Sequence, residues 1–377
     1  MLQHKISSLD FARDREKVDE RAKKENWIPA PSTLRLRSGQ ASLGTGSVGM
    51  TNKWKGIETM RKLVLALIVS MLLAVPVFAG PLVKSQVSST ANWVVHADYE
   101  RFFSSQVGGL IRKELASQGI EEKLANFATI FSFHPLYDVC DVTIYGNGRE
   151  QAKAAVLIDG RFDKEKLEAL VRMNPQHQEV QYGDITIHGW LHEEKKGSEV
   201  VKSFMMYGCV YQNKILVISS GLDTVKQAVD VMKGSAQGAT DSQFGVAALN
   251  AQGAFFQAAA TGVSDIAGEE QQAAVLKQTD KLGLAIGENA GKFYIDLGLI
   301  TKNEETAQSV NKVLEGIIAF ATLSAEQQPK LAELAQKVKL SCAQNNVGVH
   351  FESDPESVFQ FLKEQWEKKK QASTQTQ

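Results

Sequence analysis

Residues 138–171 read DVCDVTIYGNGREQAKAAVLIDGRFDKEKLEALV, and this stretch decides the fold. Asp138–Tyr145 alternates apolar and polar side chains, Gly146-Asn147-Gly148 supplies a turn, and Ala154–Ile158 returns. That pattern predicts an antiparallel hairpin. Asp163 then stands as the N-cap of a helix carrying Leu167, Leu170 and Val171. A second stretch, IGENAGKFYIDLGLITKNEETAQSVNKVL at 286–314, repeats the order of turn, strand and helix with scarcely any identity. There Thr301 and Glu304 have the spacing of a capping box.

Working outward, each stretch has the same surroundings. Ala91–Ala97 predicts a strand, and Phe102, Phe103, Val107, Leu110, Ile111 and Leu115 recur at helical steps behind it. Val180–Leu191 predicts one strand, paired across Lys195-Lys196-Gly197-Ser198 with Phe204–Tyr211. Lys214–Ser219 is a further strand, and Leu222–Lys233 an amphipathic helix that Gly234 ends. After a linker at 234–244 come a strand at Ala254–Ala260, a helix over Gly268–Thr279 and a hairpin. A helix, the hairpin Lys337–Ala343 with Val347–Glu352, and a last helix from Pro355 follow. Residues 91–234 and 245–368 thus share one order, which predicts an internal duplication. The expected class is α+β: two related halves, largely antiparallel sheets, helices packed on one face. The space between the halves is the expected ligand site. A disordered tail is expected at 369–377.

Ahead of both halves lies Met60–Gly80, MRKLVLALIVSMLLAVPVFAG. Arg61 and Lys62 precede an apolar run from Leu63 to Val75 that only Ser70 interrupts, and Val77-Phe78-Ala79 ends the segment. This is the grammar of a secretory signal peptide cut between Ala79 and Gly80. The apolar run is 13 residues long, short of the roughly 20 that span a bilayer. The alternative is a membrane anchor through an uncleaved 63–79 segment. Residues 1–59 carry alternating charges and Ser, Gly and Pro without apolar periodicity, and are expected to be disordered or a spurious upstream translation.

The leader through Ala79 holds 13 of the 42 basic and 7 of the 43 acidic residues, so the remainder carries 29 against 36, a net charge of −7. A mildly acidic exported chain is no obvious binder of nucleic acid, and membrane contact is expected only through the signal segment. Three cysteines, Cys140, Cys209 and Cys342, each sit in a strand-like run. They read as buried small hydrophobes, with Cys140–Cys209 as the one pair an oxidising compartment would join.

The signal peptide, the WVVHAD strand (Trp93 to Asp98), the DVTIYG hairpin (141–146) and the ILVISSGLDTVKQAV passage (Ile215 to Val229) together resemble uncharacterised exported proteins of planctomycete and verrucomicrobial bacteria. The resemblance covers about residues 90–368. It implies export and a duplicated fold, with no catalytic residues.

The chemistry-bearing residues are scattered. His188 and His192 lie four apart on one strand-like run beside Glu193, and with His177 they offer a metal site set against an exposed polar hairpin face. His96, Asp98, Glu100 and Arg101 cluster at a strand exit, where Asp98 suits a helix cap. Asp159, Arg161 and Asp163 follow a strand, with Asp163 again a cap. Ser219-Ser220-Gly221 precedes a helix and suits either an anion or a plain cap. No GxSxG, HExxH, P-loop or post-strand GxGxxG occurs. The expected function is an exported soluble protein that binds or scaffolds a protein or small molecule in the cell envelope, without cofactor. A periplasmic hydrolase with its site dispersed in sequence is the alternative.

Overall fold

Alternation along WVVHAD buries every second side chain and makes the first strand, β1 (Trp93–Asp98). The computed structural model describes residues 80–196, 199–266, 276–323, 326 and 328–375. Residues 1–59, the expected signal segment through Ala79 and most of the helix expected over 268–279 lie outside the described residues.

Asp98 ends β1 and caps the next helix, its carboxylate accepting from the Arg101 N–H at 2.8 Å. The helical periodicity after Tyr99 breaks once. Ser105 closes α1 (Tyr99–Ser104) and caps α2 (Gln106–Ser117), taking a hydrogen bond from the Gly108 N–H. Next come α3 (Ile120–Phe131), β2 (Val139–Gly146), β3 (Ala154–Gly160) and α4 (Lys164–Arg172). The run at 180–191 is two strands and not one. Gly183 takes φ +60°, and the chain turns there between β4 (Gln178–Tyr182) and β5 (Ile185–Lys196). β6 (Glu199–Tyr211) and β7 (Ile215–Ser219) join across Gln212 and Asn213, both at positive φ, as a type I′ turn demands. α5 (Leu222–Lys233) follows.

The stretch at 234–244 is no loose linker. Gly238 bridges Ser88, Ala239 is buried, and Phe244 ends the short helix α6 (Asp241–Phe244) at 1% exposure. The second half runs β8 (Ala254–Thr261), α7 (Val263–Ile266), β9 (Thr279–Asn289), β10 (Lys292–Thr301), α8 (Glu304–Leu323), α9 (Pro329–Ala335), β11 (Val338–Ala343), β12 (Asn346–Ser353) and α10 (Pro355–Gln375). The cap of α8 is Asn303, whose side chain accepts from the Thr306 N–H at 2.8 Å. Thr301 ends β10 instead, its hydroxyl donating to backbone carbonyls of Asn303 and Asn345. With no glycine or proline after Pro355, α10 continues through 369–375, where the composition predicts a disordered tail.

Among the described residues the twelve strands form one antiparallel sheet in the order β11-β12-β10-β9-β8-β1-β2-β3-β7-β6-β5-β4. The fold is α+β. The first strands of the two halves pair, Trp93 opposite Ala260 and Ala97 opposite Phe256. That pairing closes the space expected between the halves. Outward from it the order is the same both ways: first strand, hairpin, then the last strand ahead of the one before it. The β4–β5 hairpin is extra on one side.

Strand alternation divides the core. On one face α5 lays Val225, Ala228 and Val229 against Val94, Leu157, Val217 and Ala259, with Val87 and Phe244 completing the cluster. On the other face α1, α2 and α10 meet Phe255 and Phe293 through Phe102, Phe103, Val107 and Phe359. α8 covers Leu299 and Val347 on that same face. The helices therefore favour one face, with α5 on the opposite one. Among the described residues no helix is long and apolar enough to cross a membrane.

Leu157→Ala, at a site 2% exposed, is expected to cost about 2–5 kcal/mol, whereas Ile130→Ala, at a site 60% exposed, stays within about 0.5 kcal/mol. Denaturant titration followed by far-UV circular dichroism checks both.

Candidate functional site

The β4–β5 register puts Glu179 directly opposite His188. His177 stands just ahead of β4 and reaches the same place. α4 lies over this side of the hairpin because Asp163 anchors its start, accepting from the Lys166 N–H at 3.1 Å. One turn apart, Glu168 and Arg172 then face the hairpin. The result is a knot of two imidazoles, two carboxylates and one guanidinium.

His177 Nε2 and His188 Nδ1 stand 3.0 Å apart. Glu179 Oε1 is 3.7 Å from the same His188 Nδ1. On the far side of that ring, His188 Nε2 is 3.6 Å from Glu168 Oε1, buried and without a hydrogen-bond partner. Arg172 ties the carboxylates together, donating through Nε to Glu179 at 2.8 Å and through a terminal nitrogen to Glu168 at 3.2 Å. His188 is 4% exposed, while Glu179 faces solvent. Burial holds the His188 imidazole below its ordinary pKa against the pull of Glu168, so its ring is neutral at pH 7. The Arg172 hydrogen bond holds the Glu179 carboxyl below its usual range. One ligand atom each from His177, Glu179 and His188 lies within 4.8 Å of the others.

His192 is not part of this knot. It lies four residues along β5 from His188, about 13 Å at strand rise, and its exposed ring packs on Phe204. The two cannot share one ion. Glu179 completes the group, and its only sequence signal is that it shares a strand parity with His177.

The Cys140–Cys209 pair is also not formed. Cys140 is on β2 and Cys209 on β6, with β3 and β7 between them, about 14 Å across the sheet. A disulfide needs Cα atoms about 4.4–6.8 Å apart. All three cysteines are free; burial pushes the Cys140 and Cys209 thiols up to about 12, and Cys342 is exposed on the edge strand β11.

The other candidates serve the fold. Asp98 caps α1 and pairs with Arg101 Nε at 3.2 Å. His96 is buried, bonded through Nδ1 to the Thr143 hydroxyl at 2.9 Å, and burial lowers its pKa to about 4. The Arg161 N–H donates to the Asp138 carbonyl across the open end of the β2–β3 hairpin. Ser219 donates to the Ala154 carbonyl and accepts from the Gly221 N–H, which occupies its hydroxyl within the chain.

Register does assemble one row that the sequence does not announce. Asp98 faces Asp141, and Asp141 faces Asp159, across three adjacent strands. Lys214 Nζ reaches Asp159 at 2.6 Å. Burial first, then the neighbouring charges of Asp159 and Asp98, raises the Asp141 carboxyl to about 7. The row therefore holds a proton near neutral pH. Two hollows, of about 200 and 330 Å³, lie elsewhere, by Tyr145 and Gln227 and by α8 and Gln344. They stand at or below the small end of the roughly 300–1,000 Å³ typical of ligand pockets.

No family model matches the chain, and no curated protein does. Among solved structures it is similar to TP0453, a Treponema protein, in three crystal forms. Form III is 8% identical with a TM-score of 0.38, covering 75% of this chain and 97% of that one. Form I is 7% identical at 0.36 with the same coverage, and form IV is 8% identical at 0.36, covering 76% and 97%.

Because the folded pKa of Asp141 lies above that of the unfolded chain, the stability that its protonated form retains is lost as pH rises from about 4 to 7. Asp141→Asn is expected to gain about 2–4 kcal/mol over the parent across that window and to hold the gain above it. Melting curves from pH 4 to 8 check this; parallel pH profiles would contradict it.

Proposed function

We propose that this chain is an exported, non-enzymatic binding or scaffolding protein, released from its leader between Ala79 and Gly80. The observation that carries the proposal is the Met60–Gly80 segment, with charges, a short apolar core and a small residue before the cut in the order a signal peptidase requires. The likeness to exported planctomycete and verrucomicrobial proteins supports the same reading.

A duplicated frame fits a binding role. The strand order outward from the β1–β8 pair supports duplication, each half contributing one strand, one hairpin and two returning strands. The β4–β5 hairpin is then an addition to the first half, and it carries the histidine knot. A site built on an addition to a repeated scaffold is a natural place for a specific ligand.

Mass spectrometry of the N-terminus of the chain expressed in a Gram-negative host tests the proposal. A product beginning at Gly80 in the periplasmic fraction is expected. A product that keeps Leu63–Ala79 and sediments with membranes would replace export and release with anchoring.

A further inference from the structure

We propose that His177, Glu179 and His188 bind one zinc ion, with Glu168 and Arg172 as the outer layer that orients them. The assignment supplies a ligand for the binding role proposed above, and it stands on geometry that does not depend on export.

Ligand spacing is the first support. Two ligand atoms at about 2.0–2.1 Å from a tetrahedral zinc stand about 3.3 Å apart. The facing nitrogens of His177 and His188 are 3.0 Å apart, and Glu179 Oε1 is 3.7 Å from His188 Nδ1. Shifts of a few tenths of an ångström bring both to the tetrahedral value. All three ligand atoms lie within 4.8 Å of one another at the solvent edge of the hairpin, which leaves a fourth position for water.

The outer layer is the second support. A ligating histidine typically donates its other ring N–H to a carboxylate, which fixes the tautomer and strengthens the ligand. Here the far nitrogen of His188 is buried, lacks a hydrogen-bond partner, and has Glu168 at 3.6 Å. Metal on Nδ1 leaves the proton on Nε2, aimed at that carboxylate. Without an ion, the same two rings must share a single proton between them, and the buried nitrogen has no fixed role.

Ligand type chooses the ion. Two imidazoles with one carboxylate suit zinc over calcium or magnesium, which take oxygen ligands. Lys164, 3.8 Å from Glu168 Oε1, offsets the single negative charge to which Glu168, Glu179 and Arg172 sum, so ligand type and not net charge selects the ion. Arg172 donates one hydrogen bond to Glu179 Oε1, and that oxygen keeps a second lone pair for the ion. The chain supplies three protein ligands and an open position.

Titration of zinc into the untagged, chelator-stripped full-length chain, in competition with a chromophoric chelator, tests the assignment. One zinc per chain is expected, with no competition from calcium or magnesium. His177→Ala is expected to weaken binding by more than about 100-fold, beyond the 10–100-fold that outer partners carry, and Glu168→Gln by about 10-fold or more. His192→Ala is expected to bind as the parent does. Cobalt(II) in place of zinc should give the intense visible bands of a tetrahedral ion, lost in His177→Ala. His177 is only half-buried, so its variant is expected to melt with the metal-free parent, which separates lost ligation from lost folding. No saturable binding, or binding that His177→Ala leaves intact, overturns the assignment. Either result leaves export untouched, because the mature N-terminus reads that independently.

Discussion

The pairing of β1 with β8 is the contact on which the rest of the structure depends. It joins Trp93–Ala97 to Phe256–Ala260 in antiparallel register and turns two five- to seven-stranded halves into one sheet. Both cores straddle the seam. Val94 of the first half and Ala259 of the second lie in one cluster, and Phe102 packs edge-on to Phe255 at 4.9 Å in the other. Helix α2 of the first half starts on a carboxylate of the second, since Glu288 accepts from the N–H groups of Gln106 and Val107 at 2.8 and 2.7 Å. A carboxylate there satisfies two orphan donors and meets the positive end of the helix. Helices α10 and α2 are also joined by the Lys363–Glu114 ion pair at 2.8 Å. Neither half buries its apolar surface without its neighbour.

The histidine knot stands at the opposite extreme. It is built on the last hairpin at one edge of the sheet, where an alteration disturbs the fewest other contacts. A single register decision makes it: Glu179 opposite His188. A one-residue slip of β4 would turn Glu179 to the other face and dismantle the group. The turn at Gly183 sets that register, and α4 locks it by placing Arg172 across both carboxylates. The acidic row of Asp98, Asp141 and Asp159 is the converse case. It lies at the centre of the sheet, where burial keeps a proton on Asp141 near neutral pH and the cost falls on stability.

What could be read from the sequence is local. Alternation and turn residues place the hairpins, and Asp98 and Asp163 cap their helices as their positions suggest. What escaped depends on contacts far apart in the chain. The strand at 180–191 reads as continuous only if the switch of apolar parity, from Val180 and Tyr182 to Ile185 and Ile187, is passed over; Gly183 turns the chain there at positive φ. Thr301 and Glu304 have the spacing of a capping box, yet Asn303 takes the cap because Thr301 is held by the Asn345 carbonyl. The 234–244 stretch is polar in composition, but its Phe244 fills a gap over a strand that precedes it by about 150 residues. Cys140 and Cys209 each sit in a strand-like run and are parted by two strands whose places the sequence does not announce. In the histidine group, His177 and His188 are legible as residue types, whereas Glu179 and the exclusion of His192 follow only from the register.

Native-state hydrogen exchange across the β1–β8 seam tests the central claim that the two halves form one cooperative sheet. The account predicts that protected amides in Trp93–Ala97 and in Phe256–Ala260 open with the same free energy and the same denaturant slope as global unfolding. If the amides of β8, β9 and β10 opened together with a smaller slope while those of β1, β2 and β3 stayed protected, the halves would be separate folding units and the account would be contradicted.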